Sequence, residues 1–92
     1  MNATAYTYGE DGGNITATGI VPYHGVVAVD PSVIPLGSKL YIASADGSYV
    51  YGYAIAADTG GAIKGNRIDV FLESNSQVKK FGRKTMIVYV CK

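Results

Sequence analysis

The chain has 92 residues, and 48% of them are hydrophobic, which fits one small folded domain and excludes a disordered segment. Its formal net charge of +1 excludes the basic footprint of a nucleic-acid-binding protein. The nearest approach to a basic cluster is typical of a solvated helix face: Lys79, Lys80, Arg83 and Lys84. No apolar stretch reaches the ~18 residues of a membrane-spanning helix, and no signal peptide is visible.

Short strands are predicted through the first half of the chain. Ala3–Tyr8 alternates small or polar residues with aromatic ones and predicts a strand. A loop rich in turn-forming residues follows. Val26–Val29 predicts a buried strand that ends at Asp30, because the next residue is proline and holds Asp30 extended. Lys39–Ile42 predicts the following strand.

The longest predicted strand, Tyr49–Ala57, is followed by a glycine-rich connection to a further strand, Ile68–Phe71. Alternation along the long strand places three tyrosines on one face: Tyr49, Tyr51 and Tyr53. Thr85–Val90 is rich in β-branched residues and predicts a closing strand.

One helix is predicted, over Asn75–Phe81. Ser74 is its N-cap, Gln77 completes a Ser-x-x-Gln capping box, and Gly82 ends it. About six short strands and one helix in so small a chain, with many glycines, favour a closed barrel over an open sheet. The periodicity does not give the order of the strands.

A lone cysteine and a lone histidine limit the chemistry available to the chain. Cys91 cannot form an internal disulfide and is interpreted as a structural thiol at a strand end. His24 alone argues against a Ser-His or Cys-His catalytic pair and against a zinc site. We therefore expect neither a metal ion nor a cofactor.

Two aspartates border apolar runs. Asp58 directly follows Tyr53–Ala57, and Asp69 lies between Ile68 and Val70. Both runs are too hydrophobic for surface loops, so we expect these carboxylates on a partly buried floor, where burial raises the pKa of an acid. A mid-strand carboxylate between two aliphatic residues favours a catalytic role for Asp69, with a buried hydrogen-bonding role as the alternative.

The other polar candidates allow two interpretations each. Asp30 precedes a proline and fits a structural turn as well as a catalytic role. Asp58 could bond to the amides of its own loop. Lys64 could bind a carboxylate or acetamido oxygen of a ligand, or be solvated. Three glycines would let the chain pass close to a ligand or to a crossing strand: Gly60, Gly61 and Gly65.

Several motifs, in this order along the chain, resemble the bacterial three-aspartate (3D) domain: Val29-Asp30-Pro31, Ile34-Pro35-Leu36-Gly37, Ala57-Asp58-Thr59-Gly60-Gly61, Lys64-Gly65, Ile68-Asp69-Val70 and Phe81-Gly82. The three aspartates that name the family fall on Asp30, Asp58 and Asp69. The resemblance extends from Ala3 to Val90. The family is similar to the catalytic barrel of membrane-bound lytic transglycosylase A and to the stationary-phase survival muralytic proteins.

This resemblance implies an all-β fold, a small six-stranded double-psi β-barrel with one short helix, formed by residues 1–92 as a single domain. It implies peptidoglycan as the partner and substrate, Asp69 as catalytic acid/base, and Asp58 and Asp30 as further catalytic residues. The residues expected to bind substrate are Thr18, Gly19, Thr59, Gly60, Gly61, Lys64 and Gly65. It also implies a module excised from a larger bacterial protein that is secreted or associated with the cell wall.

Three hypotheses follow for the chemistry. A lytic transglycosylase would cleave the MurNAc–GlcNAc bond with Asp69 as the single acid/base and leave 1,6-anhydro-muramyl ends, the C6 hydroxyl acting as an intramolecular nucleophile. An inverting hydrolase would use Asp69 as acid and Asp58 or Asp30 as base, at carboxyl separations of about 6.5–9.5 Å. A non-catalytic module would bind wall glycan without turnover.

Overall fold

The computed structural model describes residues 1–7, Gly19 and 23–91. In chain order the elements are β1 (Asn2–Tyr6), β2 (Val26–Val29), β3 (Lys39–Ser44), β4 (Val50–Asp58), β5 (Arg67–Phe71), α1 (Asn75–Phe81) and β6 (Lys84–Cys91). Every predicted strand and the predicted helix are present, and their ends differ from the prediction by at most about two residues, within the usual uncertainty of such boundaries.

The six strands form one closed ring of hydrogen-bonded neighbours in the order β1-β5-β2-β4-β3-β6. Two of the pairs are parallel, β1 with β5 and β2 with β4, and the others are antiparallel. Six strands and one short helix confirm the predicted all-β class. Within the described ranges, no helix is long and apolar enough to cross a bilayer.

The main core lies inside this ring, because all six strands contribute buried side chains to the same cluster. Its members include Leu40, Ile42, Ile68, Val70, Met86 and the helix residue Phe81. A second, smaller cluster of Val26, Ala57 and Phe71, with Tyr6 and Ile55 packed against it, involves β1, β2, β4 and β5. These four strands therefore carry partly or fully buried side chains on both faces, as strands in parallel pairs usually do.

Helix α1 begins and ends where the sequence predicts. The Ser74 hydroxyl accepts a hydrogen bond from the Gln77 amide at 3.2 Å, and the Gly82 amide donates to the Val78 carbonyl at 3.1 Å. The Gln77 side chain bonds to the amide of Glu73 at 2.9 Å, one residue before the cap, rather than to that of Ser74 as in an ordinary capping box.

A β-bulge near the start of β4 overturns one expectation. Val50 and Gly52 pair with consecutive residues of β3, so Tyr51 is an extra residue between them. The Tyr51 side chain consequently lies in the main core with 4% of its surface exposed, whereas Tyr53 is 78% exposed. The prediction that Tyr49, Tyr51 and Tyr53 share one face is therefore wrong.

Candidate active site

Four neighbouring strands bring Thr4, Asp69, Ala28 and Asp58 side by side. Asp69 pairs with Thr4 of β1 and with Ala28 of β2, and Ala28 pairs in turn with Asp58 of β4. Residues directly opposite one another project from the same face of a sheet. We call these four residues the carboxylate row. They lie on the face of the second cluster, outside the main core.

A second β-bulge sets the place of Asp58 in this row. β2 and β4 pair in regular register until Ala57, which is the extra residue, and Ala28 then stands opposite Asp58. In unbroken register Asp58 would fall opposite Val29, whose side chain is part of the main core. Because a shift of one residue moves a side chain to the other face of a strand, the bulge directs Asp58 toward the face of Asp69.

Asp69 is half-buried and hydrogen-bonded. Its Oδ1 accepts a hydrogen bond from the Thr4 hydroxyl at 3.1 Å. Burial raises the pKa of Asp69 above the usual value for an aspartate, and the nearby Asp58 carboxylate raises it further, while the Thr4 hydrogen bond and the Arg67 charge oppose the shift. The arrangement favours the protonated carboxyl, as a general acid requires.

Asp58 is held from both of its oxygens. Oδ1 accepts a hydrogen bond from the amide of Thr59 at 2.9 Å, and Oδ2 accepts one from the Tyr6 hydroxyl at 3.4 Å. The Tyr6 ring packs edge-on against Phe71, with ring centres 5.4 Å apart. Burial, followed by the charges of Asp58 and Asp69, raises the pKa of Tyr6 well above its usual range, so this hydroxyl remains a donor. The loop-amide interaction predicted for Asp58 is thus present together with a long-range one.

Asp30 lies outside the carboxylate row. Its Oδ1 accepts hydrogen bonds from the amide and the hydroxyl of Ser32, at 3.0 and 2.7 Å, and its Oδ2 accepts one from the amide of Gly65 at 2.8 Å. The bond from Gly65, and then those from Ser32, lower the pKa of Asp30 to about 2. The side chain ties the turn after β2 to the connection between β4 and β5, which matches the structural alternative for this residue.

The connection after Asp58 carries most of the predicted substrate-binding residues. Thr59 and Lys64 are exposed, and Gly65 has a φ of 63° while its amide binds Asp30. Gly60 packs against Ile63 so closely that a Cβ would come within 3.0 Å of the Ile63 Cγ1. A glycine is therefore required at position 60 unless Ile63 moves.

The remaining substrate-binding candidates are Gly61, which belongs to this connection, and Thr18 and Gly19, which are distant from it along the chain. Gly61 and Gly19 are exposed, with open space where a Cβ would stand. Thr18 lies outside the described residues. Within the described ranges, no three His, Cys, Asp or Glu side chains are grouped so that they could hold a metal ion. The binding roles of all seven residues stay predictions.

Thr4 and Tyr6 were not among the residues selected from the sequence, although they hold Asp69 and Asp58. Both belong to β1 and are two positions apart, so they project from the same face. Their alternation with Ala3 and Ala5 was the available signal. This alternation places the two side chains on one face but does not identify their hydrogen-bond partners, which lie on strands more than 50 residues away.

Comparison with known proteins gives the family to which this fold belongs. The family model of the 3D domain matches residues 25–92. The chain belongs to the 3D domain family, as its motifs indicated. Strand β1, with Thr4 and Tyr6, precedes the matched span.

Three proteins illustrate the likeness. The chain is 54% identical over 96 residues to the cell wall-binding protein YocH of Bacillus subtilis (strain 168), covering 98% of this chain and 31% of YocH. It is 47% identical over 95 residues to the putative cell wall shaping protein YabE of the same organism, covering 98% of this chain and 22% of YabE. The chain therefore spans less than a third of these relatives. The structure of MltA from Escherichia coli, which has a lytic transglycosylase fold, matches with a TM-score of 0.72 and 26% identity, over 86% of this chain and 27% of MltA.

Proposed function

We propose that this domain is a peptidoglycan lytic transglycosylase that cleaves the MurNAc–GlcNAc bond with Asp69 as its acid/base. The observation that carries the proposal is the half-buried Asp69 carboxyl, whose pKa is raised by burial and by Asp58 in the same row. The likeness to MltA supports this chemistry, and the relatives named for wall binding and wall shaping support the cell wall as the place of action.

In the proposed reaction, protonated Asp69 gives its proton to the glycosidic oxygen as the bond from that oxygen to the muramyl C1 breaks. Positive charge develops on the muramyl ring, and the Asp58 carboxylate stabilises it. The Asp69 carboxylate then takes the proton of the muramyl C6 hydroxyl, whose oxygen bonds to C1 and closes the 1,6-anhydro ring. Asp69 ends protonated, as it began, and no water is consumed.

The remaining polar residues are assigned positioning roles. Thr4 fixes Oδ1 of Asp69, so we assign the transferred proton to Oδ2. Tyr6 holds Asp58 toward the row. Asp30, through the Gly65 amide, keeps the connection after Asp58 against the turn after β2. The predicted binding residues of that connection, together with Thr18 and Gly19, would then contact the glycan.

Two other functions are supported by particular observations. Asp58 and Asp69 share one face of the sheet with a single strand between them, and an inverting hydrolase would use such a pair of carboxylates, with Asp58 activating water. The relative named as a cell wall-binding protein supports a module that binds glycan without cleaving it. Both are outcomes of the experiment described below.

The architecture of the whole protein also belongs to this proposal. We assign the closed ring, with its parallel pairs β1–β5 and β2–β4, to the double-psi β-barrel class. Because matched relatives are more than three times longer than their shared region, we propose that residues 1–92 act as one domain of a larger secreted, wall-associated protein.

The test is mass spectrometry of the muropeptides released from purified sacculi in water enriched in oxygen-18. The wild type is expected to give 1,6-anhydro ends without heavy oxygen, and Asp69→Asn to lose about 100-fold or more of the rate while remaining folded. Asp46→Asn, a change in the exposed β3–β4 hairpin, is the matched control. Reducing ends that contain heavy oxygen would select the hydrolase. Binding without any release by the wild type would select the binding module.

A further inference from the structure

A cavity of about 430 Å³ lies beside α1, away from the carboxylate row. Its volume falls within the range of roughly 300–1,000 Å³ that is usual for small-ligand sites. Its lining includes three apolar or aromatic residues and three basic ones: Tyr49, Leu72, Phe81, Lys80, Lys84 and His24. We call this cavity the helix pocket. Neither the carboxylates nor the glycine-rich connection contributes to its lining.

The floor of the helix pocket is continuous with the main core. Leu72 and Phe81 are each only 3% exposed, and Tyr49 meets Phe81 edge-to-face with ring centres 5.2 Å apart. Such close-packed side chains keep their positions when a ligand arrives, so little ordering cost remains to be met on binding. The floor is therefore a fixed apolar surface suited to methyl or methylene groups.

Positive charge lies directly over this apolar floor. The Lys84 ammonium is 5.3 Å from the centre of the Tyr49 ring and 5.2 Å from that of Phe81, within cation–π distance of both. Lys84 was predicted to share a solvated helix face with Lys79, Lys80 and Arg83, but α1 ends at Phe81 and Lys84 instead begins β6.

Neither lysine of the helix pocket is neutralised by the part of the chain described. Among the described residues, no carboxylate forms a salt bridge with Lys80 or Lys84, and neither lysine has an interaction beyond those already named. Two ammonium groups beside one apolar cavity favour an anion as occupant, because opposite charge offsets the cost of leaving water.

His24 forms a fixed wall of the same cavity. Its ring stacks on Tyr51 with centres 4.3 Å apart, and its Nε2 lies 3.2 Å from the Tyr51 carbonyl. A carbonyl only accepts hydrogen bonds, so Nε2 carries the hydrogen of this bond. The Tyr51 hydroxyl is in turn bonded to Gly25 and Phe71, at 2.8 and 2.7 Å. The wall is thereby tied to the start of β2 and the end of β5.

We propose that the helix pocket binds the carboxylate-bearing peptide attached to the muramyl sugar. The inference rests on the proposed function for its substrate class. An apolar floor takes the alanine methyl of such a peptide, and the two ammonium groups take its carboxylates. A neutral glycan offers no partner for these charges. Leu72, which lines the helix pocket, follows Asp69 by three residues, roughly 10 Å along an extended chain.

The test is an NMR titration with N-acetylmuramyl-L-alanyl-D-glutamate, followed at the Leu72 methyl groups. We expect saturable shifts, and about tenfold weaker binding for the diamide of the same ligand, since each charge-assisted hydrogen bond contributes on this order. Lys80→Gln is expected to weaken binding similarly and to keep the fold, because Lys80 is exposed. Lys84→Gln extends the test to the second charge. Lys79→Gln, an exposed neighbour on α1 that does not line the cavity, is the matched control.

Three results would overturn the inference: no shift at Leu72, equal affinity for ligand and diamide, or equal affinity of Lys80→Gln and the wild type. Binding of inorganic phosphate in place of the peptide, with the same sensitivity to Lys80→Gln, would also overturn it and assign the pocket to wall phosphates. Glycan strands stripped of peptide separate this inference from the proposed function. Cleavage of such strands without peptide binding would contradict only the helix pocket, and peptide binding without cleavage of any substrate would contradict only the transglycosylase.

Discussion

Asp58 and Asp69 lie on one face of the sheet because both pair with Ala28, the residue between them on β2. Strand β2 lies between them and contributes the small Ala28 side chain to the row. From β1, Thr4 donates a hydrogen bond to Asp69 and Tyr6 donates one to Asp58. Asp69 thereby receives the repulsion of Asp58 without sharing its hydrogen bonds, and this repulsion adds to the effect of burial in raising the pKa of Asp69.

Removing the Thr4 hydroxyl is expected to move the pH dependence of catalysis. The Thr4 hydrogen bond lowers the pKa of Asp69 against the larger effect of burial, so Thr4→Val should raise that pKa. The limb of the rate profile on which the acid loses its proton should then move to higher pH. The measurement is the pH profile of kcat/KM on a soluble glycan. Thr85→Val, on exposed β6, is the matched control. An unchanged profile for Thr4→Val would show that Asp69 is not the titrating acid.

Asp69→Asn is expected to change how stability depends on pH. Because the folded-state pKa of Asp69 is raised, the folded chain binds this proton more tightly than the unfolded chain does. The resulting stability is fully present below the ordinary aspartate pKa of about 3.9 and is lost as pH rises through the higher folded-state value. Asp69→Asn lacks that loss, so its stability relative to wild type should increase from acidic to neutral pH in urea unfolding.

Asp46→Asn provides a control of opposite sign for the same experiment. Hydrogen bonds from Ser48 and then Ser44 lower the pKa of Asp46 to about 2. The stability that depends on this ionised carboxylate is present above the unfolded value and lost as pH falls toward 2. Its replacement should therefore matter least in strong acid. Parallel curves for Asp69→Asn and the wild type would contradict the burial assigned to Asp69.

Replacing Asp30 with alanine is expected to loosen the connection between β4 and β5. The variant leaves the Gly65 amide without the carboxylate that it binds, so amide hydrogen exchange at Gly65 and its neighbours should become faster, and glycan cleavage should fall. Asp46→Ala also removes a carboxylate that caps a turn, but the hydrogen bonds of Asp46 are all made within residues 44–48. Faster amide exchange in this control should therefore be confined to that turn. Unaltered exchange at Gly65 in Asp30→Ala would show that another contact holds the connection.

Tyr51→Phe is expected to destabilise the fold by about 1–3 kcal/mol, the usual cost of leaving buried partners unpaired. The Tyr51 hydroxyl accepts from the Gly25 amide and donates to the Phe71 carbonyl, and phenylalanine does neither. The measurement is the free energy of unfolding in urea. Tyr53→Phe, at a residue 78% exposed, should stay within about 0.5 kcal/mol of the wild type. Equal effects of the two changes would contradict the bridging role.

Local signals in the sequence were sufficient for the helix and for β2. The cap at Ser74, the end at Gly82 and the four apolar residues Val26–Val29 depend on neighbours in the chain, and the structure has them at the predicted positions. The partly buried position of Asp69 also followed from its flanking residues. These features need no knowledge of which strands pair.

The rest of the site depends on pairing between distant strands, which periodicity does not contain. Thr4 meets Asp69 across 65 residues of sequence, and only the ring order makes β1 and β5 neighbours. The bulges at Tyr51 and Ala57 were not predicted from the sequence for the same reason, because an extra residue can be recognised only by comparison with its partner strand. Asp30 carried a family motif, but its hydrogen bond from the distant Gly65 amide could not be predicted from that motif.

Strand β1 pairs with two strands that lie far from it along the chain. It pairs with β5 and β6. The Met1 amino group donates a hydrogen bond to the Met86 carbonyl, and the Met86 amide donates one to the Met1 carbonyl, across 85 residues. Contacts of such sequence separation slow folding, since loop entropy is lost before they form. Thr4 and Tyr6 gain the aspartates that they hold only when β1 meets elements more than 50 residues further along the chain, so the carboxylate row is expected to be among the last parts of the fold to assemble.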